Sequence, residues 1–200
     1  MDVVKVQIDE FEAALPEEIT LAVNFDQSVS VNNRLGGFFM NLLQGILLVG
    51  LVMVLALGMR ASAIVMLAIP LSILIAIGFV DLNGYGIQQM TIVGLVIALG
   101  LLVDNATVVT ENVSRFMRLG YQNDEAAIRG TGQIGWPIVS STITTVLAFV
   151  PMVALQSTTG SFIRSMPVTV IFTLLASLIV SLTLTPFLSS RWLKPTKSRK

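Results

Sequence analysis

Long apolar stretches dominate this chain, and their lengths match the thickness of a lipid bilayer. A membrane-spanning helix needs about 20 mainly apolar residues, and five stretches qualify. They run over residues 38–57, 61–80, 87–109, 136–155 and 166–188. Four of them contain no charged residue, and the third contains one, Asp104. Because a soluble core does not supply five such runs in so short a chain, the pattern predicts an all-α polytopic membrane protein whose membrane domain spans 36–190.

The first 35 residues have a different pattern. Residues 2–14 are typical of a short amphipathic helix that Pro16 ends, and the alternation over 19–25 predicts one strand. One helix and one strand cannot enclose a core. We therefore expect residues 1–35 to be a short α/β stub, the end of a truncated soluble domain.

The connections between the spans differ in character. Residues 58–60 allow only a tight helical hairpin, whereas residues 81–86 form a turn rich in helix breakers. The polar segment 110–135 predicts a short helix at about 124–129. Pro137 follows Trp136 at the predicted start of the fourth span, where a first-turn proline loses no helical hydrogen bond.

Composition narrows the possible chemistry. Hydrophobic residues make up 54% of the chain and charged residues 12%, and the sequence has neither cysteine nor histidine. This excludes disulfides, cysteine-based zinc sites and Ser-His-Asp triads. We expect no cofactor and no metal. Nucleic acid is not an expected partner either, because the basic tail, 191–200, has a single aromatic residue.

The distribution of lysine and arginine predicts the orientation in the membrane. One face carries Arg60, three arginines of the 110–135 segment and five basic residues of the tail, whereas the other face carries Arg34 and Arg164 close to the spans. Positive residues are enriched on the cytoplasmic side. The tail should therefore be cytoplasmic, and the N-terminal arm should lie on the opposite side of the lipid bilayer.

Asp104 is the main candidate functional residue. A carboxylate near the bilayer centre costs about 2.5–3.5 kcal/mol on insertion scales, so such a residue is usually paired, hydrated or titrated. Its neighbour Asn105 can form hydrogen bonds but cannot titrate. Gly94 and Gly100 on the same span would let another helix approach closely. The alternative interpretation is a structural Asp that is hydrogen-bonded inside a bundle.

Hydroxyl side chains recur along the last two spans. On the fifth span they recur every four residues and include Thr173, Ser177 and Ser181, and the fourth span contributes Thr144. This spacing places the fifth-span hydroxyls in one stripe along the helix. Helix packing with weak hydrogen bonds explains such a stripe, and a water-lined polar path for protons is the second interpretation.

Several segments resemble one transporter family. The run GLVIALGLLVDNATVVTEN, residues 94–112, resembles the fourth transmembrane helix of resistance-nodulation-division (RND) exporters, especially their drug-efflux branch. EAAIRGTGQIGWPIVSSTITTVLAFVPM resembles the loop and helix that follow, and SLTLTPFLSSRWL the end of the sixth helix. ALPEEITLAVNFDQS is similar to the end of the first periplasmic porter segment. The chain would thus correspond to helices two to six of the first repeat.

This resemblance implies a specific function. RND exporters are trimeric proton antiporters of the bacterial inner membrane, and they expel drugs and other amphiphiles with a periplasmic adaptor and an outer-membrane channel. Their proton relay centres on two adjacent aspartates. Asp104 matches the first, and Asn105 stands at the second. The relay's other residues, including a lysine, belong to the second repeat, so the chain should need the remaining half of the transporter and be inactive alone.

Two alternatives to an exporter follow from the same residues. Five such helices also resemble a sterol-sensing domain, a regulatory module that would bind a lipid between its helices. The VDN and TEN segments, residues 103–105 and 110–112, favour the exporter. An intramembrane aspartyl protease needs two facing acids that share a proton, and the five spans contain only Asp104.

Overall fold

The described part of the chain is helical. The computed structural model describes residues 7–8, 11 and 27–193, and its helices are α1 (Gln27–Leu57), α2 (Met59–Leu82), α3 (Gln89–Arg118), α4 (Asn123–Val153), α5 (Thr158–Ile163) and α6 (Ser165–Trp192). The prediction of an all-α architecture is confirmed for these residues. The strand predicted over 19–25 and nearly all of the helix predicted over 2–14 lie outside them, so the α/β stub receives no support.

Four of the helices are long and apolar enough to cross a membrane. They are α2, α3, α4 and α6. The described apolar part of α1, Met40–Leu55, is shorter than these. These helices contain the cores of the five predicted spans. A single residue, Gly58, separates α1 from α2, and its φ of 88° is a conformation that glycine adopts without strain. The Ser62 hydroxyl on α2 donates to the Gly50 carbonyl on α1 at 2.8 Å, so the tight hairpin predicted at 58–60 is present.

Helix α4 corrects the prediction for the polar segment. The short helix expected at 124–129 and the fourth span form one continuous helix of 31 residues, and Pro137 lies inside it rather than in its first turn. Asp124 and Glu125 occupy the first turn, where acidic side chains are favoured by the helix dipole. Ala126 and Gly130 are buried, so packing supports the helix through a polar segment in which the sequence predicted only a short helix.

Helix α6 is the central helix of the described bundle. It contacts α2, α3 and α4. In its apolar 18-residue stretch 56% of the residues are buried, whereas the corresponding share in α4 is 11%. The buried surface of α6 is a stripe of small hydroxyl residues spaced four apart, and each is at most 2% exposed. We call this the hydroxyl stripe; its members are Ser165, Thr169, Thr173, Ser177, Ser181, Thr185 and Ser189.

The hydroxyl stripe packs closely because its side chains are small and mostly satisfy their own hydrogen bonds. The Thr173 hydroxyl donates to the Thr169 carbonyl at 2.6 Å, and the Ser181 hydroxyl donates to the Leu178 carbonyl at 3.0 Å. Polar groups in lipid must be satisfied inside the protein. Since lipid tails are as apolar as leucine, close van der Waals packing of small residues drives the association of such helices.

Gly94 lies at a close approach between α3 and α6. A Cβ atom at this position would lie 2.6 Å from the Met166 carbonyl oxygen and 2.9 Å from the Thr169 Cβ. Gly100, on the same helix, would meet nothing within 4 Å. Of the two glycines selected from the sequence, only Gly94 contributes to packing among the described residues.

These two glycines give a matched test of the α3–α6 contact. We expect Gly94→Ala to destabilise the chain by about 1–3 kcal/mol, because the added methyl group meets a backbone oxygen that cannot move aside. Gly100→Ala should be neutral or stabilise it by up to about 1 kcal/mol, because alanine is the better helix former. Thermal unfolding in detergent, followed by far-UV circular dichroism, measures both. Equal stability of the two variants would contradict the close approach.

Candidate proton-coupling site

Asp104 lies on the outer face of α3. That face carries Ile97, Gly100, Asp104, Val108 and Glu111, all of them exposed, whereas the opposite face of the helix is buried in the bundle. Among the side chains that the structure describes, none forms a hydrogen bond or salt bridge with the Asp104 carboxylate. The Asp104 carboxylate therefore faces the outside of the described bundle.

The inward orientation of Asn105 contrasts with that of Asp104. Asn105 is 8% exposed, and its Nδ2 donates to the Thr142 Oγ1 on α4 at 3.4 Å. Adjacent residues of an α-helix point about 100° apart, so one of these two side chains can face outward while the other lies between helices. Asn105 consequently links α3 to α4, and Asp104 is the titratable member of the pair.

Among the described residues, Asp104 lies on the exposed face of α3 and not inside the bundle. A structural aspartate hydrogen-bonded inside the bundle, the alternative raised by the sequence, would lie on the buried face of α3. Asn105 occupies that face instead. The chemistry available to Asp104 is that of a carboxyl group on an apolar helix surface, where binding a proton removes the charge that lipid and apolar side chains exclude.

Of the four hydroxyl residues proposed for a polar path, three lie together and Thr144 lies apart from them. Thr173, Ser177 and Ser181 lie on the buried hydroxyl stripe, and the Ser177 hydroxyl donates to the Leu102 carbonyl of α3 at 3.3 Å. Thr144 is exposed on α4, and its hydroxyl donates to the Ser140 carbonyl at 2.9 Å. The three residues of α6 lie in a tightly packed contact between helices, which favours the packing interpretation of the stripe.

Gly100 gives the exposed face of α3 a shallow surface next to the acid. It lies four residues, about one turn, before Asp104 on the same exposed side. A glycine at this position lets the backbone of another helix approach closely. A polar or charged group on that helix would then come within reach of the Asp104 carboxylate.

Asn112 is a structural determinant that the sequence did not reveal. It is 7% exposed, and its Nδ2 donates to the Gly130 carbonyl at 2.7 Å and to the Gln133 Oε1 at 3.2 Å, both on α4. A Cβ at Gly130 would lie 3.1 Å from the Val113 Cα. The sequence signal was the TEN segment, which pointed only to the family. Together with Asn105–Thr142, this contact fixes the rotation of α3 and hence the direction of Asp104.

A metal-binding cluster is not found in the part of the chain that the structure describes: no group of three or more histidine, cysteine, aspartate or glutamate residues lies close enough to hold an ion.

Comparison with known proteins connects this arrangement to a family. A family model described as the AcrB/AcrD/AcrF family matches residues 1–200. Multidrug resistance protein MdtC from Pectobacterium carotovorum subsp. carotovorum (strain PC1) is 33% identical over 200 residues. The MdtC proteins of Salmonella arizonae and Escherichia coli O139:H28 are 32% and 31% identical. Each match covers the whole chain but 20% of the relative, so the chain spans about a fifth of their length.

The match over residues 1–200 agrees with the resemblance of residues 94–112 to RND exporters. The long apolar helices agree with a multi-pass inner-membrane protein. The chain therefore belongs to the AcrB/AcrD/AcrF family of RND efflux transporters.

Proposed function

We propose that this chain is part of a proton-driven exporter of drugs or other amphiphiles and that it carries the first-repeat half of the proton relay. The position of Asp104 is the observation that supports this most strongly. It is the one acid of the predicted spans, and it lies on the exposed face of α3. The family membership and the relatives' printed name, multidrug resistance protein, support the same transport class.

The exposed face of α3 needs a partner to act in a membrane. A bare carboxylate facing lipid is unfavourable, and no lysine occurs within residues 27–193 to pair with it. We propose that a helix from the remaining half of the transporter covers this face at Gly100 and brings a cationic side chain to Asp104. The relay would then be completed between the two halves of the protein.

Proton binding at Asp104 would change how these two halves pack. With the proton bound, the carboxyl group is neutral and tolerates an apolar contact; after the proton leaves, the carboxylate attracts its cationic partner. A ligand shifts a conformational equilibrium only by its different affinity for the two states. A proton would meet this condition, because it would bind more tightly in the state in which Asp104 has an apolar contact. Asn105 cannot titrate, so this pair of positions supplies one proton-binding group.

Membership of the RND family supports a proposal for the assembly, and the charge distribution supports one for the orientation. The complete protein would be a homotrimer in the bacterial inner membrane that works with a periplasmic adaptor and an outer-membrane channel. The distribution of arginine and lysine supports a periplasmic N-terminal arm and a cytoplasmic tail.

Replacing Asp104 tests the proton relay directly. In the complete transporter, Asp104→Asn should reduce drug export to the level of cells without the transporter, because asparagine has nearly the same shape but binds no proton at neutral pH. Drug tolerance and dye efflux measure this, and immunoblotting of membranes checks that expression is unchanged. The matched control is Asp81→Asn, which removes an exposed acid near the end of α2 and should keep full export.

Undiminished drug tolerance in the Asp104→Asn transporter would remove Asp104 from the relay. An equal loss of export in both variants would instead indicate a general requirement for negative charge.

The incomplete relay leads to a second test. We expect the 200-residue chain alone, reconstituted in liposomes with an imposed pH gradient, to export no dye, because Asp104 then lacks its partner. Empty liposomes set the background, and the complete transporter is the positive control. Proton-driven export by the isolated chain would show that the described helices contain a whole relay.

A further inference from the structure

A groove outside the proton-coupling site runs between the first half of α4 and the last part of α6. Its volume is about 450 Å³. The two helix ends meet here, since the Asn123 Nδ2 on α4 donates to the Leu193 carbonyl at the end of α6, at 3.4 Å. One end of the groove therefore opens at the predicted cytoplasmic boundary of the membrane, and the groove extends from there along the helices toward the bilayer.

The walls of the groove are mostly apolar. Ala127 and Ile128 line it from α4, and Leu182 and Phe187 line it from α6. Ile128 is 74% exposed and Phe187 is 57% exposed, so both side chains border the groove without filling it. From Leu182 to Ser190 the groove covers nine residues of α6, and the distance along the helix between the first and the last is about 12 Å. This length and polarity suit a segment of a fatty acyl chain.

Opposite charges flank the open end of the groove. Asp124, exposed in the first turn of α4, lines it. Arg191, in the last turn of α6, places its guanidinium 5.9 Å from the centre of the Phe187 ring that forms one wall. The neighbouring pair Glu125 and Arg129 forms a salt bridge at 2.9 Å and is neutral as a unit. The groove therefore ends beside one acidic and one basic side chain.

The wall also contains a hydroxyl group that is available for a new hydrogen bond. Thr131 lines the groove, and its Oγ1 is shielded from solvent without a hydrogen-bond partner among the described residues. A buried hydroxyl without a partner is unfavourable, and an ester oxygen of a glycerolipid is an acceptor that would satisfy it.

We propose that this groove binds phosphatidylethanolamine. One acyl chain lies along the apolar walls, the ammonium group donates hydrogen bonds to the Asp124 carboxylate, and the phosphate accepts from the Arg191 guanidinium. The charges on the protein match this zwitterionic headgroup. An anionic headgroup would meet the Asp124 carboxylate without compensation, and the methylated ammonium of phosphatidylcholine has no N–H to donate.

Lipid competition tests the headgroup assignment. The purified 200-residue chain in detergent is mixed with equal amounts of phosphatidylethanolamine, phosphatidylcholine and phosphatidylglycerol of identical acyl chains, and bound lipid is counted by native mass spectrometry. We expect phosphatidylethanolamine to be retained about threefold over each of the others, the size of a favourable exposed ion pair. Asp124→Asn should abolish its advantage over phosphatidylcholine, whereas Arg191→Gln should weaken the binding of both.

A second pair of variants tests the groove itself. No atom lies within 4 Å of a Cβ added at Gly132, which lines the groove, or at Gly78, which is exposed on α2. Gly132→Leu should fill the groove and reduce the retention of all three lipids to that of a detergent-only background, while Gly78→Leu should leave it unchanged. Circular dichroism confirms that both variants keep their helical content.

Three outcomes would overturn the proposal. Equal retention of the three lipids would show that the charges do not select a headgroup. Preferred retention of phosphatidylglycerol would assign the binding to basic residues such as those of the tail. Unchanged lipid retention in Gly132→Leu would place the bound lipid elsewhere on the chain.

Discussion

The close packing of α6 against α3 is the contact on which the rest of the described bundle depends. It requires small side chains on both helices: the hydroxyl stripe on α6 and Gly94 on α3, where a methyl group would meet the Met166 carbonyl. A membrane provides little hydrophobic force between helices, so dense contact and satisfied polar groups must hold them together. The threonine and serine hydroxyls meet both conditions, because most bond to carbonyls of their own helix and thus remain small and neutral at the contact.

This packing has a direct consequence for chemistry. Helix α3 packs against α6 on one side, and the Asn105–Thr142 and Asn112–Gly130 hydrogen bonds join it to α4 on another. These contacts determine which face of α3 stays exposed. That face carries Asp104 beside Gly100. The bundle thus holds an ionisable group at its outer surface. In the proposed relay, a proton bound there would change the contacts between this face and a helix from the remaining half of the transporter.

The peripheral position of α4 gives the same fold a second kind of surface. Its most apolar window is only 11% buried, and beside α6 its first turns leave an apolar groove that ends at charged residues. Lipid is the solvent for such a surface. The groove lies where α4 passes from the membrane boundary into the bilayer, so the helix continuity that the sequence analysis missed is also what creates the groove. A short separate helix followed by a loop would not form this continuous wall.

The sequence by itself determined where the apolar helices lie and which residue in them is chemically unusual. Both follow from composition: the bilayer sets the length of an apolar run, and a lone carboxylate in such a run is conspicuous whatever its neighbours. The family match over residues 1–200 rests on the sequence too. Only the tertiary structure decided the direction of each side chain. Adjacent residues point about 100° apart, so spacing along one helix could not show that Asp104 faces outward and Asn105 inward, or that Thr144 lies away from the hydroxyl stripe. Those directions depend on the rotation of each helix about its axis, which is fixed by contacts between residues far apart in the chain. The same reason explains α4: the sequence separates a short helix at 124–129 from the fourth span, whereas the structure has one continuous helix in which Ala126 and Gly130 are buried.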